Sequence, residues 1–412
     1  MAKRPETVSV IGLGYIGLPL AAALAGSGVQ VIGVDVKEDA VALLNAGGIH
    51  ISEPGLTELV QGAVKSGKFR AVTKPEAADA FVIAVPTPVM PDRSPDMTYV
   101  EAATASIAPV LKKGDLVVLE STSPVGTIEA LGETLAKLRP DLTFPAGAGE
   151  DADVMLAYCP ERILPGNMVR ELTENDRIIG GMTEAATEAA MALYSQFVKG
   201  ELIPTDSRTA AATKLVENAF RDVNIAFANE LANVCDHMGL DVWKVIACAN
   251  HHPRVNILTP GPGVGGHCIP VDPWLLIHDA KDQTPLMQTA RHTNDARPAY
   301  IARKIVDAAK GKSTIACLGL TYKPDTDDLR ESPAIELVHD LKGMWNGKIV
   351  AVEPLVEKPP KSLVEAGVPV VPLEQALKEA DVIALVVGHK EFKSIDRSDA
   401  GKVYFDACGG WR

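Results

Sequence analysis

The chain has 412 residues, 47% hydrophobic and 23% charged, which is the make-up of a soluble globular protein long enough for two or three domains. Its formal net charge of −13 argues against nucleic acid as a partner, since that calls for a basic footprint; a local basic pocket for a small anion stays open. The six cysteines, at 159, 235, 248, 268, 317 and 408, show no CxxC pair and no zinc-like spacing, so reduced thiols in a cytoplasm suit them better than a disulfide framework.

The opening MAKRPETVSVIGLG enters a short apolar run that stops at a glycine turn. That is neither a signal-peptide core nor a membrane span, so no membrane association is expected. Residues 8–11, 31–34, 80–85 and 116–120 are β-rich, with Ala/Leu-rich helical stretches at 18–25 and 100–111 between them. Strands alternating with helices predict βαβ units around a parallel sheet.

From 208 to 249 the pattern is helical, without proline and without glycine until Gly239. A long helix here would form a spine between domains or pack against a second subunit. A glycine–proline loop fills 250–274, and 286–309 is helical again. A second alternating unit follows through 314–318, 333–341, 348–352, 381–387 and 402–406. The expected fold class is α/β: two doubly wound Rossmann-like domains joined by a central helical domain with a long helix.

Gly12-Leu13-Gly14-Tyr15-Ile16-Gly17 stands between the first strand and the first helix. In such a turn the first glycine makes the bend and the second admits a pyrophosphate. The third allows close helix–strand packing, and the helix N-terminus favours the phosphate charge. The second β-rich run ends at Asp35, eighteen residues beyond Gly17, where a carboxylate binds ribose hydroxyls and repels a 2′-phosphate. NAD is therefore favoured over NADP. Thr87 in VPTP and Thr122 in ESTSPVGT follow the next two β-rich runs, at the strand ends where open α/β sheets hold ligands.

Lys214, Asn218 and Arg221 recur at i, i+4 and i+7 and share one helix face. With Phe220, Ile225 and Phe227 elsewhere on the circumference, the helix is expected to be largely buried and its polar stripe to line a site. Glu161 and Arg162 form a charged pair in YCPERILPG. The vicinal His251 and His252, together with His267, lack the separation of zinc ligands, so no metal is expected. In PGPGVGGHCIPVDPW, glycines at 261, 263, 265 and 266 deliver Cys268, with Asp272 four residues later. Such a loop suits close approach to a ligand, whereas a buried, inert cysteine is the plain alternative.

Together these motifs, with KLVENAFRDVNIAFANEL and GLTYKPDTDDLRESPA, resemble the UDP-glucose/UDP-N-acetylmannosamine dehydrogenase family over nearly the whole chain. NAFRDVNIAFANEL and NHHPRVNILTPGPGVGGHC are most similar to its UDP-N-acetyl-D-mannosamine branch. The resemblance implies oxidation of the sugar C6 from alcohol to carboxylate with two NAD⁺, for surface polysaccharide precursors. It implies Lys214 as acid/base, Cys268 as the thiol that captures the aldehyde, and Asn218 and Lys214 as oxyanion stabilisers. Glu161, Thr122 and Asp272 become candidates to position the hydrolytic water. Tyr15, Ile16, Asp35, Thr87, Thr122 and Arg330 match NAD contacts.

The UDP-sugar is expected among Arg162, Ile163, Lys214, Asn218, Arg221, Gly265, Tyr322 and Lys323, with His252 and Arg254 reaching it from the second subunit of a homodimer or higher oligomer. The implied division is an NAD-binding domain at 1–205, a central helical domain at 206–300 and a UDP-sugar-binding domain at 301–412. One departure stands out: relatives often carry arginine shortly after the ribose-binding acid, where this chain has Ala40, with Lys37 nearby. UDP-N-acetylglucosamine and UDP-glucose are alternative substrates. A two-electron dehydrogenase of the 3-hydroxyacid type, needing a lysine but no cysteine, is the enzymatic competitor. An NAD-binding regulator that oxidises nothing is the non-catalytic one.

Overall fold

The computed structural model describes residues 3–51, 53–163 and 166–412. The chain forms two compact units, one of residues 1–216 with 274–279 and the other of 217–273 with 280–412.

In the first unit the strands are β1 (Thr7–Ile11), β2 (Gln30–Val34), β3 (Phe69–Val72), β4 (Ala80–Ile83), β5 (Leu116–Leu119), β6 (Met155–Tyr158), β7 (Arg177–Gly181) and β8 (Leu202–Asp206). They form one sheet ordered β3-β2-β1-β4-β5-β6-β7-β8, parallel except where β7 runs against β6. The first six follow the 3-2-1-4-5-6 order of a dinucleotide-binding sheet, whose switch point lies between β1 and β4. Both faces are covered. Ala80 and Val82 point into one apolar cluster, Phe81 and Ile83 into the other. Burial on both sides is why these runs read as continuously apolar in the sequence.

The expected helix at 18–25 is Gly17–Gly26. Four strands escaped the sequence reading: β3, β6, β7 and β8. β8 is an edge strand with Pro204 in it and little burial, so it carries no apolar run. β7 ends in Gly180-Gly181, which reads as a turn. There, however, a Cβ on Gly180 would meet the Asp206 carbonyl oxygen at 2.6 Å, so glycine is required by packing.

The helix expected over 208–249 is two helices, Ser207–Met238 and Val242–Ala249, parted at Gly239. That expected over 286–309 likewise splits into Pro285–Asp295 and Arg297–Ala308, with Pro298 in the first turn of the latter. The second unit also carries β9 (Thr314–Leu318), β10 (Lys348–Val352), β11 (Val382–Leu385) and β12 (Val403–Asp406). They form an all-parallel sheet ordered β10-β9-β11-β12, with its switch point between β9 and β11. No helix among the described residues is long and apolar enough to cross a membrane.

Candidate active site

The turn after β1 is shaped by what its glycines exclude. Gly12 has φ +94°, and a Cβ there would lie 2.5 Å from the Ala84 carbonyl oxygen, just past the end of β4. A Cβ on Gly17 would lie 1.8 Å from the Gly12 oxygen, so the helix starts hard against the turn. At Gly14, by contrast, nothing lies within 4 Å. This open position precedes the helix Gly17–Gly26, whose N-terminus has no side-chain cap. Leu18 and Leu20 donate their amides to the Gly14 and Ile16 carbonyls at 3.1 and 3.3 Å, so an anion would meet the open turn and the positive end of the helix behind it.

Asp35 accepts hydrogen bonds from the Leu13 and Lys37 amides at 3.2 and 3.0 Å, which holds its carboxylate beside the glycine turn. These residues fit NAD: a bend, an open face for the pyrophosphate and an acid for the ribose. Tyr15 is exposed at the turn, and Ile16 caps the helix. Thr87 donates its hydroxyl hydrogen bond to the Thr122 carbonyl, tying together the strand exits of β4 and β5.

Beyond β5 and β6 lies a buried ionic cluster. Arg177, at the start of β7, donates to Glu120 at 2.5 Å and also to Glu161. Glu161 accepts a further bond from the Arg162 amide at 2.6 Å. Arg162 itself donates to the Asp176 carbonyl at 2.5 Å. Glu53 accepts from the Gly166 and Met168 amides at 2.9 and 2.8 Å, anchoring the far end of the same loop. Ile163 is part-buried against the adjoining core, whereas Leu164 and Pro165 of this motif lie outside the described residues.

Lys214 and Asn218 sit one turn apart on the helix Ser207–Met238, and Lys214 is buried. Asn218 donates to the Asp272 carboxylate at 2.5 Å. The Asp272 amide in turn donates to the Cys268 carbonyl at 2.8 Å. Asn218, Asp272 and the cysteine turn are thus one hydrogen-bonded unit, with Cys268 exposed upon it. The structure corrects the view of this helix as largely buried: Phe220 is 68% and Phe227 55% exposed, and Arg221 is exposed too.

The residues that hold the cysteine loop were not foreseen. Buried Asp222 receives Arg291 at 2.6 Å and Asn294 at 2.8 Å. Asn229 donates to Asn294 at 2.9 Å and accepts from the Gly261 amide at the same distance, so the chain of bonds ends on the loop itself. In DVNIAFANEL, therefore, the acid and the second asparagine anchor the loop. A polar residue every seventh position on a helix, Asp222 then Asn229, was the available signal.

The other end of the loop packs on the segment that follows β9. A Cβ on Gly265 would lie 2.3 Å from the Glu331 carbonyl oxygen and 3.0 Å from Tyr322, and one on Gly266 would meet the Tyr322 ring at 2.9 Å. Gly265 and Tyr322 are thereby brought together. Lys323 lies over the Tyr322 ring, its Nζ 5.4 Å from the centroid. Both border a cavity of about 620 Å³ at the β9/β11 switch point, which Lys393, Arg397, Trp411 and Arg412 also line. Four cations around an aromatic-walled pocket suit a nucleoside diphosphate. Asp406, ending β12, accepts from the amides of Cys408, Gly409, Gly410 and Trp411 and fixes the turn that carries Trp411 and Arg412.

The two switch points share a hydrogen-bond plan. Gly12 donates to the Val34 carbonyl at 2.8 Å, and Gly319 to that of Val352 at 2.9 Å. Leu13 donates to Asp35, while Leu320 donates to Glu353 at 2.7 Å. The acids differ in availability. Glu353 is buried and lies 3.2 Å from His389 Nε2, so it braces the pocket from below. The Asp325–His389–Glu391 group belongs to this bracing, since His389 Nδ1 already accepts from the Asp325 amide at 3.0 Å. Arg330 makes a two-pronged pair with Asp328 at 2.8 and 2.7 Å. His252 and Arg254 are exposed on a loop closed by Asn250, which bonds Ile257 in both directions.

Comparison with known proteins matches three domain signatures in succession. They are the NAD binding, central and UDP binding domains of the UDP-glucose/GDP-mannose dehydrogenase family, over residues 6–198, 208–296 and 316–409. The chain belongs to that family. It is an NAD-dependent UDP-sugar dehydrogenase, an oxidoreductase.

Among the relatives of this dehydrogenase, the UDP-N-acetyl-D-mannosamine dehydrogenase of Yersinia pestis is 53% identical, with 99% of each chain covered. An NDP-N-acetyl-D-galactosaminuronic acid dehydrogenase of Ralstonia nicotianae is also 53% identical, over 98% of this chain and 96% of that one. The solved UDP-D-ManNAc dehydrogenase of Pyrococcus horikoshii superposes with a TM-score of 0.87 at 36% identity, covering 98% of this chain and 99% of that one.

Proposed function

We propose that this dehydrogenase oxidises C6 of UDP-N-acetyl-D-mannosamine to the uronate in two NAD-linked steps through a cysteine thioester, supplying a precursor for surface polysaccharide. The observation that carries the reading is Cys268, exposed on a loop whose following turn is fixed by Asp272 and Asn218. An inert structural cysteine would instead be buried, like Cys159 and Cys317.

NAD accepts a hydride at each oxidation. In the first, Lys214 takes the C6 hydroxyl proton as the hydride leaves, giving the aldehyde. The Cys268 sulfur then adds to the aldehyde carbon, and the new oxyanion is stabilised by Lys214 and Asn218. Loss of a second hydride from that carbon gives a thioester bound to Cys268. Water, oriented by Glu161, Thr122 and Asp272, adds to the thioester carbonyl. The C–S bond breaks, its electrons leave with sulfur, and the carboxylate is released.

Arg162, Ile163, Arg221, Gly265, Tyr322 and Lys323 serve the UDP-sugar, and Arg330 serves NAD. The working form is a cytoplasmic homodimer or higher oligomer in which His252 and Arg254 act on the second subunit's substrate. Exposed Val216, Phe220, Phe227, Val234 and Met238 support it, since at helical spacing they fall in one stripe about 40° wide. The corresponding domains are 1–205, 206–300 and 301–412.

The equal likeness to the Ralstonia relative favours a second reading, an N-acetylgalactosamine-configured substrate. Turnover of UDP-N-acetylmannosamine, UDP-N-acetylgalactosamine, UDP-N-acetylglucosamine and UDP-glucose, followed by NADH absorbance, separates these. Fastest turnover of the first is expected, and fastest turnover of any other overturns the substrate assignment. Cys268→Ser should cut uronate formation by on the order of 10³-fold or more while still binding NAD.

A further inference from the structure

Glu120 takes no part in the chemistry above, yet it is joined to the residue that holds Glu161. It directly follows β5, its side chain is fully buried, and its Oε1 accepts from Arg177 at 2.5 Å and from the Tyr194 hydroxyl at 2.7 Å. Arg177 donates its other terminal nitrogen to Glu161 Oε2. One guanidinium therefore bridges two buried carboxylates. The second oxygen of Glu120, Oε2, is shut off from solvent and has no hydrogen-bond partner among the described residues.

Two ionised carboxylates and one cation leave an uncompensated charge in a buried cluster, which is costly. The arrangement favours a proton on one carboxylate, and the unpartnered Oε2 is a place to carry it. We infer that Glu120 is a positioning residue for thioester hydrolysis: through Arg177, its protonation state sets how strongly Glu161 attracts the proton of the attacking water. The inference rests on the role proposed for Glu161.

With Glu120 neutral, the Arg177 charge is directed at Glu161 alone and holds that carboxylate the more tightly. With Glu120 ionised, the guanidinium is shared and a second negative charge lies close by, so Glu161 becomes the stronger base. As water adds to the carbonyl carbon, Glu161 takes one of its protons and Cys268 leaves with the C–S bonding electrons.

The groups facing Glu120 are Arg177, Glu161, Tyr194 and Cys159. Burial pushes the Glu120 carboxyl up to about 7, with Arg177 pulling against it and Glu161 adding to it. Burial also raises the Cys159 thiol and the Tyr194 phenol, so both stay neutral. Burial opposes the Arg177 charge, but Glu161 and Glu120 outweigh it and keep the guanidinium protonated. Glu120 is thus the carboxyl that burial drives toward its neutral form.

The test is a rapid-quench single turnover with enzyme and NAD in excess over UDP-N-acetylmannosamine, reading NADH and uronate in each sample from mildly acid to mildly alkaline pH. In the wild type, the rate of uronate release relative to NADH formation should rise around pH 7. Glu120→Gln should flatten that rise, leaving release on the order of tenfold slower at the alkaline end.

Tyr194→Phe removes a donor that favours ionised Glu120, so the midpoint should move to higher pH; this variant carries the test if Glu120→Gln does not fold. A Glu120→Gln profile superimposed on the wild type, or an unmoved midpoint in Tyr194→Phe, overturns the inference. Glu161→Gln is the control. Wild-type release in that variant removes the Glu161 reading itself, whereas slow release there with an unchanged Glu120→Gln profile removes only the Glu120 inference.

Discussion

Two glycines of one turn make opposite predictions. Alanine at Gly17 would place its Cβ 1.8 Å from the Gly12 carbonyl oxygen, which no rotamer relieves because the obstacle is backbone. Gly17→Ala should destabilise the protein by about 3 kcal/mol or more in urea unfolding. Alanine at Gly14 meets nothing within 4 Å, so Gly14→Ala should fold normally and instead crowd the cofactor. Its NAD dissociation constant should rise about tenfold, or ~1.4 kcal/mol.

These roles were legible at 12, 14 and 17 because spacing alone encodes them. The roles of Glu120 and Arg177 were not. Their pairing joins strands 57 positions apart in sequence, and no local pattern reports it. Glu120 also has a signature in stability. Its proton is held more tightly in the folded chain than in the unfolded one, so the stabilisation is complete below the ordinary carboxylate range and is lost as pH rises toward about 7. The melting temperature of the wild type relative to Glu120→Gln should fall across that window and level off above it.

At the scale of elements, the helix Ser207–Met238 does more than its polar stripe suggested. Lys214 and Asn218 were recognisable from their spacing, but Asp222 and Asn229 face Arg291, Asn294 and Gly261, and their task depends on a helix some 70 residues away. Asp222→Ala leaves buried Arg291 with Asp295 as its carboxylate partner and takes an acceptor from Asn294, and should cost about 3 kcal/mol. Asn229→Ala removes the bond to Gly261 and should cost about 1–3 kcal/mol. The second variant is the more informative. It should lower kcat through the loosened cysteine loop while leaving the affinity for NAD, read by fluorescence titration, near the wild-type value. Two of the strands missed by the sequence reading have a similar explanation: β7 ends in paired glycines and β8 carries a proline, so each is defined by its neighbours rather than by an apolar pattern of its own.

At the scale of the whole molecule, the α/β class and the paired doubly wound sheets followed from alternation in the sequence, and the family from motifs spread along the chain. The cationic pocket at the second switch point was only half visible. Tyr322 and Lys323 stand in a recognisable motif, whereas Lys393, Arg397 and Arg412 are brought to it by the parallel order of β9, β11 and β12.

The exposed stripe on the long helix bears on assembly. If the proposed oligomer forms through this stripe, Phe227→Glu should shift sedimentation toward monomer and reduce turnover at a given protein concentration, since in that proposal His252 and Arg254 serve the second subunit's site. The proposed four-electron oxidation through Cys268 is read in the ratio of NADH formed to UDP-N-acetylmannosamine consumed, with the intact mass of the enzyme recorded during turnover. Two NADH per sugar and a transient adduct on Cys268 are expected; one NADH per sugar, with no adduct, rules out the thioester route.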